Sequence, residues 1–261
     1  MSYQRISLEI ADKVAVLKFK HPEVLNAIGG QMVGELTQAV REIADPSRGA
    51  RCVLLTGEGR AFCSGANLQD ESRGANQGAG DTLRGGYHPL LLAIRDLEMP
   101  VVSAVNGVAA GVGMSFAAMA DIVCASKNAY FLQAFARIGL IPDGGSTFLL
   151  PRLIGWGRAL ELSLLAERLP AEKAYEWGLV NRLYDDQAAL MDGAMGIAKQ
   201  LANGPRSLAL IRRAYWESWR NSYEQQLDLE AQLQSQAGRS EDFREGVAAF
   251  LAKRPAEFKG R

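Results

Sequence analysis

"PVVSAVNGVAAGVGMSFAAMADIV", residues 100 to 123, is the stretch on which the fold turns. It carries no charge between Pro100 and Asp121 and is long enough to cross a bilayer. Its texture points elsewhere. β-Branched residues lead up to Asn106, Ala and Met take over midway, and Ser103, Asn106 and three glycines interrupt the run. That order reads as a buried strand, a glycine turn and a buried helix, so the chain is expected to be an α/β protein and not a membrane span.

The flanks agree. "RCVLLTG" (51–57) and "DIVCAS" (121–126) are further short apolar runs of buried-strand type, with helical patterning between them. Buried strands separated by helices imply βαβ units and a parallel sheet. "ISLEIADKVAVLKF" alternates and turns at Asp12-Lys13, the pattern of a hairpin. A helix is expected over about 30–44 and another up to about Leu97. Between them, "DESRGANQGAGDTLRGG" (70–86) is polar and glycine-rich and reads as a mobile loop. Strand signals stop after about residue 186. The division expected is therefore a core over 1–199 and a C-terminal helical module over 200–261. The module's apolar positions (Leu227, Leu229, Leu233, Phe243, Val247, Phe250, Leu251) exceed what a helix pair can bury. They should pack on the core or on another subunit.

Charge narrows the function classes. Of 261 residues, 29 are Lys or Arg and 29 are Asp or Glu, so the formal net charge is zero and neither nucleic acid nor an anionic membrane is favoured as partner. Cys52, Cys63 and Cys124 are widely spaced in apolar surroundings. They suggest neither a disulfide framework nor a metal site, and no metal is expected. The N-terminus lacks the apolar core of a secretory signal, and a cytoplasmic location is expected.

Three motifs bear on chemistry. "GRAFCSGANL" (59–68) follows a strand, and its small residues either make a tight turn or let a ligand approach the main chain at Gly65. "NGVAAGVGMSFA" (106–117) places glycines where a helix begins. This either packs helix on strand or offers N–H groups to an anion, although the spacing is not that of a phosphate loop. If both turns face one pocket, their N–H groups make an oxyanion hole for a carbonyl that becomes an enolate. The third, "IGLIPDGGSTFLLP" (138–151), holds one acid, Asp143, in an otherwise uncharged stretch. Asp143 could cap the helix that follows, form the turn, act as a general base or act as a nucleophile.

These motifs, with "HPEVLNAI" (21–28), "LPAEKAYEWGLVNRL" (169–183) and "FLAKRPAEFKGR" (250–261), resemble the crotonase (enoyl-CoA hydratase/isomerase) superfamily in order and over essentially the whole chain. The resemblance implies a crotonase-like spiral of ββα units with a C-terminal helical trimerisation region. It also implies an acyl-CoA substrate whose coenzyme A is part of the substrate and not a separate cofactor, and a homotrimer or dimer of trimers. It places the oxyanion hole at the N–H groups of Ala66 and Val112. CoA or substrate contacts are implied at Ala27, Ser64, Gly65, Asn67, Leu68, Gly111, Phe135 and Lys253, with Arg254 beside the last.

Where hydratase-like members carry two acids, this chain has Ser115 and Phe135. Hydration needs a base for water and an acid for carbon in one geometry, so the departure argues against a hydratase. Asp143 matches an acid used by two subgroups. "AFARIGLIPDGGSTFLLPR" and the tail from "LDLE" onward are similar to ring-1,2-epoxyphenylacetyl-CoA isomerases, in which the acid is a base; the same acid can move a 3-enoyl double bond to the 2-position. An Asp in an apolar pocket is expected to have a raised pKa, which suits that task. In 4-chlorobenzoyl-CoA dehalogenase the matching acid is a nucleophile and a His activates water. His88 falls at that spacing, but that pattern has Trp where Phe135 stands. His88 is otherwise a helix-start residue beside Pro89, and His21 reads as structural or CoA-proximal.

Overall fold

The structure, a computed structural model, describes residues 3–70 and 78–261. Strands β1 (Ile6–Ala11) and β2 (Val14–Phe19) form the antiparallel hairpin, and Asp12 and Lys13 both take the left-handed conformation that a two-residue turn requires. Helix α1 (Gly30–Ala44) follows, then β3 (Cys52–Gly57) and β4 (Ala61–Cys63). Helices α2 (Ala79–Thr82) and α3 (His88–Arg95) lead to β5 (Val101–Val105), β6 (Val108–Ala110) and α4 (Val112–Ala118). The next turn of the chain holds β7 (Ile122–Ser126), β8 (Tyr130–Leu132), α5 (Ser146–Ile154) and α6 (Trp156–Leu165). The last contains β9 (Arg168–Pro170), α7 (Ala171–Glu176) and β10 (Arg182–Tyr184).

Successive turns feed two sheets. The larger runs β1-β2-β3-β5-β7-β10 and is parallel from β2 onward; the smaller runs β4-β6-β8-β9. A chain that lays one strand in each sheet and then a helix is the ββα spiral expected. The stretch 100–123 is β5, a turn, β6 and α4, nearly all of it buried. The large sheet is covered on both faces. Val53 and Leu55 belong to the main core, while Cys52 and Leu54 face helix α8 (Gln187–Ala202) through Leu190, Ala194 and Ala198. Two-sided burial explains why its strands are unbroken apolar runs.

The expected loop 70–86 needs correction. Residues 71–77 lie outside the described ones, but from Ala79 the chain is helical: α2, a wide π turn over Leu83–Tyr87, and then α3 without a break. Composition hid the turns before α3 because only Leu83 and Tyr87 among residues 79–87 pack on the core. Tyr87 is buried and its hydroxyl donates to the Ile28 carbonyl at 3.1 Å.

Helices α9 (Ser207–Ser218), α10 (Tyr223–Gly238) and α11 (Glu241–Leu251) close the chain. Buried Arg212 ties α9 to the core. It donates to both oxygens of Asp121 at 2.8 and 2.9 Å and to the carbonyls of Ile94, Arg95 and Leu97 at the end of α3. Of the module's apolar positions, Leu233 is buried, while Leu227, Phe243, Val247, Phe250 and Leu251 remain exposed. Among the described residues no helix is long and apolar enough to cross a membrane.

Candidate active site

The site is assembled on the segment 21–28, which has little secondary structure of its own. Asn26 is fully buried and left-handed, a conformation Asn tolerates through its short polar side chain. Its Oδ1 accepts from His21 N–H at 2.8 Å, and its Nδ2 faces the carbonyls of Glu58, Ala61 and Phe62 at 3.0, 2.8 and 3.3 Å. One side chain thus fastens the segment to β4. Ser64 adds to this, its hydroxyl donating to Val24 and its N–H to Leu25. Burial holds His21 below its ordinary pKa, so it is a neutral imidazole near pH 7.

The two glycine turns come together. A Cβ on Gly65 would lie 3.0 Å from the Ala110 carbonyl oxygen and 3.8 Å from Gly111 Cα. Ile28 pairs with Ala66 in a parallel bridge that uses Gly65 C=O and Asn67 N–H. Bridge bonds that flank a residue leave its own N–H directed away from the bridge, and this is the position of Ala66. Val112 is the first residue of α4, whose leading N–H groups have no acceptor within the helix. Phe135 is buried with its ring tip 3.7 Å from where a Gly111 Cβ would be, so it walls the same turn. Cys63 lies behind Gly65, whose N–H it accepts at 3.5 Å. Burial pushes its thiol up to about 12, which removes it as a nucleophile at neutral pH.

Asp143 enters this group through its neighbours. Gly144 is left-handed, and a Cβ there would lie 2.7 Å from Ser115 Cβ and 3.1 Å from Val112 Cγ2. The Asp143 segment is therefore pressed on the first turn of α4. The capping reading of Asp143 is overturned: α5 begins at Ser146 with Gly145 as its N-cap and no side-chain cap. What the helix start uses is the Asp143 main-chain carbonyl, which accepts from Ser146 N–H at 3.1 Å and Ser146 Oγ at 2.8 Å. Ser115 Oγ donates to the same oxygen at 3.0 Å. The carboxylate oxygen Oδ1 is itself buried.

The outlying candidates separate from this centre. Asn67 accepts from Gln69 N–H in a local turn, and Leu68 is 61% exposed beside it. His88 is exposed at the start of α3. It borders a cleft of about 1240 Å³ between the core and the C-terminal helices that meets the site at Gly144 and Gly145. Lys253 is exposed at a left-handed turn after α11. Arg254 is committed within the chain to both carboxylate oxygens of Glu245, at 2.7 and 2.9 Å. Sequence reasoning passed over Asn26, Tyr87, Ser146 and Gln133. An Asn inside "LNAI" and a Ser three residues after Asp143 were the available signals, but their partners lie far away in sequence.

The profile of the enoyl-CoA hydratase/isomerase family matches residues 9–261. A protein of Rhodobacter capsulatus named a probable enoyl-CoA hydratase is 45% identical over the whole of both chains. The 1,2-epoxyphenylacetyl-CoA isomerase of Escherichia coli K12 is 43% identical over 95% of each chain. The crystal structure of an enoyl-CoA hydratase from Polaromonas sp. JS666 superposes with a TM-score of 0.90 at 32% identity, covering 97% of this chain and 99% of that one.

Proposed function

The chain belongs to the enoyl-CoA hydratase/isomerase family, and we propose that within it the protein is a CoA-thioester isomerase with Asp143 as its only acid–base group. The observation that carries this reading is the exchange at α4: a serine occupies position 115, and the Asp143–Gly144 segment is packed directly on it.

The substrate carbonyl is placed between the N–H groups of Ala66 and Val112. The Asp143 carboxylate removes a proton from the carbon next to the thioester. The C–H electrons move into the C1–C2 bond and the carbonyl electrons onto oxygen, where the two N–H groups hold the enolate. With a 3-enoyl thioester, the enolate electrons return through C2 and C3 and the proton is delivered at C4, giving the 2-enoyl isomer. With 2-(1,2-epoxy-1,2-dihydrophenyl)acetyl-CoA, proton removal at the same carbon precedes ring expansion to the oxepin. The base that takes the proton also returns it, so one carboxylate suffices and no water is consumed. The likeness to the E. coli isomerase supports the epoxide as the first substrate to test. The exposed faces of α10 and α11 support assembly into a trimer or dimer of trimers. Lys253 is the basic residue offered to the CoA phosphates.

Four CoA thioesters distinguish the readings: 3-enoyl-, 2-enoyl-, epoxyphenylacetyl- and 4-chlorobenzoyl-CoA. Isomerisation of the first or third is expected, with a loss of at least about 10³-fold in kcat for Asp143→Asn. Dominant hydration of 2-enoyl-CoA, chloride release from the chlorobenzoyl thioester, or near-full isomerase activity in Asp143→Asn each overturns the proposal.

A further inference from the structure

Behind Asp143 lies a chain of buried polar groups. Ser115 Oγ and Ser146 Oγ are 2.7 Å apart, and each lies within hydrogen-bond distance of the Asp143 carbonyl oxygen. Gln133 is fully buried on the far side. Its Nε2 donates to Ser146 Oγ at 3.3 Å and approaches Met114 Sδ at 3.2 Å. The two hydroxyls have one proton each, so one of the three contacts among Ser115, Ser146 and the carbonyl draws on a lone pair only. The Gln133 amide adds a donor from outside the pair, so Ser146 Oγ accepts one bond and its own proton is left for the carbonyl or for Ser115.

Gln133 accomplishes this at a cost to the fold. Its Oε1 is buried with no hydrogen-bond partner among the described residues. A buried amide with half its capacity unmet is disfavoured against an apolar side chain of equal size, so its presence calls for an explanation. From this we infer that Gln133, Ser146 and Ser115 are positioning residues that fix the main chain at Asp143 and thereby aim its carboxylate. Their contacts reach Asp143 at its main-chain carbonyl. The inference rests on the reading of Asp143 as the base.

Four variants test it: Gln133→Met, Ser146→Ala, Ser146→Thr and the double variant Ser115→Ala/Ser146→Ala, read by kcat, KM and Tm on the isomerised thioester. A displaced base lowers the rate of proton transfer without weakening CoA binding. The expected result is a fall in kcat of about tenfold or more with KM held within about twofold. Gln133→Met should keep or raise Tm while losing kcat, a combination that a merely structural residue does not give. Ser146→Thr, which retains the hydroxyl, should recover most of the rate. Wild-type kcat in the double variant or in Gln133→Met overturns the positioning role, and so does a parallel loss of Tm and kcat in Gln133→Met. If the double variant fails to fold, Gln133→Met alone decides. Asp143→Asn is run beside them. Its inactivity beside fully active Gln133 and Ser146 variants disproves only the positioning role, whereas its activity disproves the base.

Discussion

Two adjacent glycines separate local strain from close approach. Gly144 and Gly145 are both left-handed, with φ of +61° and +83°. A Cβ on Gly145 meets only Leu149 Cδ1, at 4.0 Å, so alanine there incurs backbone strain alone, about 1 kcal/mol. A Cβ on Gly144 collides with Ser115 and Val112 and must move the main chain at Asp143. Gly144→Ala is therefore expected to cost about 2 to 4 kcal/mol by denaturant unfolding. It should also lose far more kcat than Gly145→Ala. Equal activities in the two variants would show that the acid does not depend on contact with α4. The motif "PDGGS" was legible as a turn carrying an acid. That its first glycine is a contact and its second only a turn was not, because the difference is made by Ser115 and Val112, 29 and 32 positions before Gly144.

At the scale of elements, the sequence was readable where periodicity or length carried the signal. The hairpin, α1, β3, β5 and β7 lie where alternation and apolar runs put them. The second sheet was not readable: "AFC", "VAA", "YFL" and "RLP" are three-residue strands, too short to show a period and held by pairing with one another. The helical turns over 79–87 were hidden for the opposite reason, since they are polar and glycine-rich and only Leu83 and Tyr87 among them reach the core. The site's N–H turns were legible as motifs, but the fastening of segment 21–28 to β4 by Asn26 was not. Asn26→Ala strands the three carbonyls that Nδ2 serves and the His21 N–H. About 3 kcal/mol of stability should be lost, from an unsatisfied-group cost of one to a few kcal/mol. Because β4 and Ala66 follow from that anchor, CoA-thioester turnover should fall at temperatures where the variant is still folded, as judged by circular dichroism. A loss below about 1 kcal/mol would place the anchoring elsewhere.

At the scale of the whole molecule, the C-terminal helices leave apolar surface uncovered. The chain commits its C-terminal polar groups inward: Asp242, itself buried, accepts from the N–H groups of Arg206, Lys259 and Gly260 at 2.7 to 2.8 Å, fastening the tail to α9 and α11. Yet Phe250 is 82% and Leu251 75% exposed at the end of α11, with Phe243, Val247 and Leu227 exposed on α10 and α11. A tail tethered this firmly is not positioned to fold back over them. Scattered apolar residues are ordinary on a surface, but five on two consecutive helices form a patch of the kind that marks an interface. A closed ring of identical copies buries such a patch on every chain without leaving an open end. If the proposed trimer closes through these residues, Phe250→Asp/Leu251→Asp is expected to give monomers in sedimentation equilibrium while leaving the far-ultraviolet spectrum unchanged. If Lys253, two residues further on, serves a CoA across that boundary, KM should rise with dissociation and kcat at saturating substrate should change less. Should the wild-type chain itself sediment as a monomer, the patch would need another occupant and Lys253 would have to act within its own subunit.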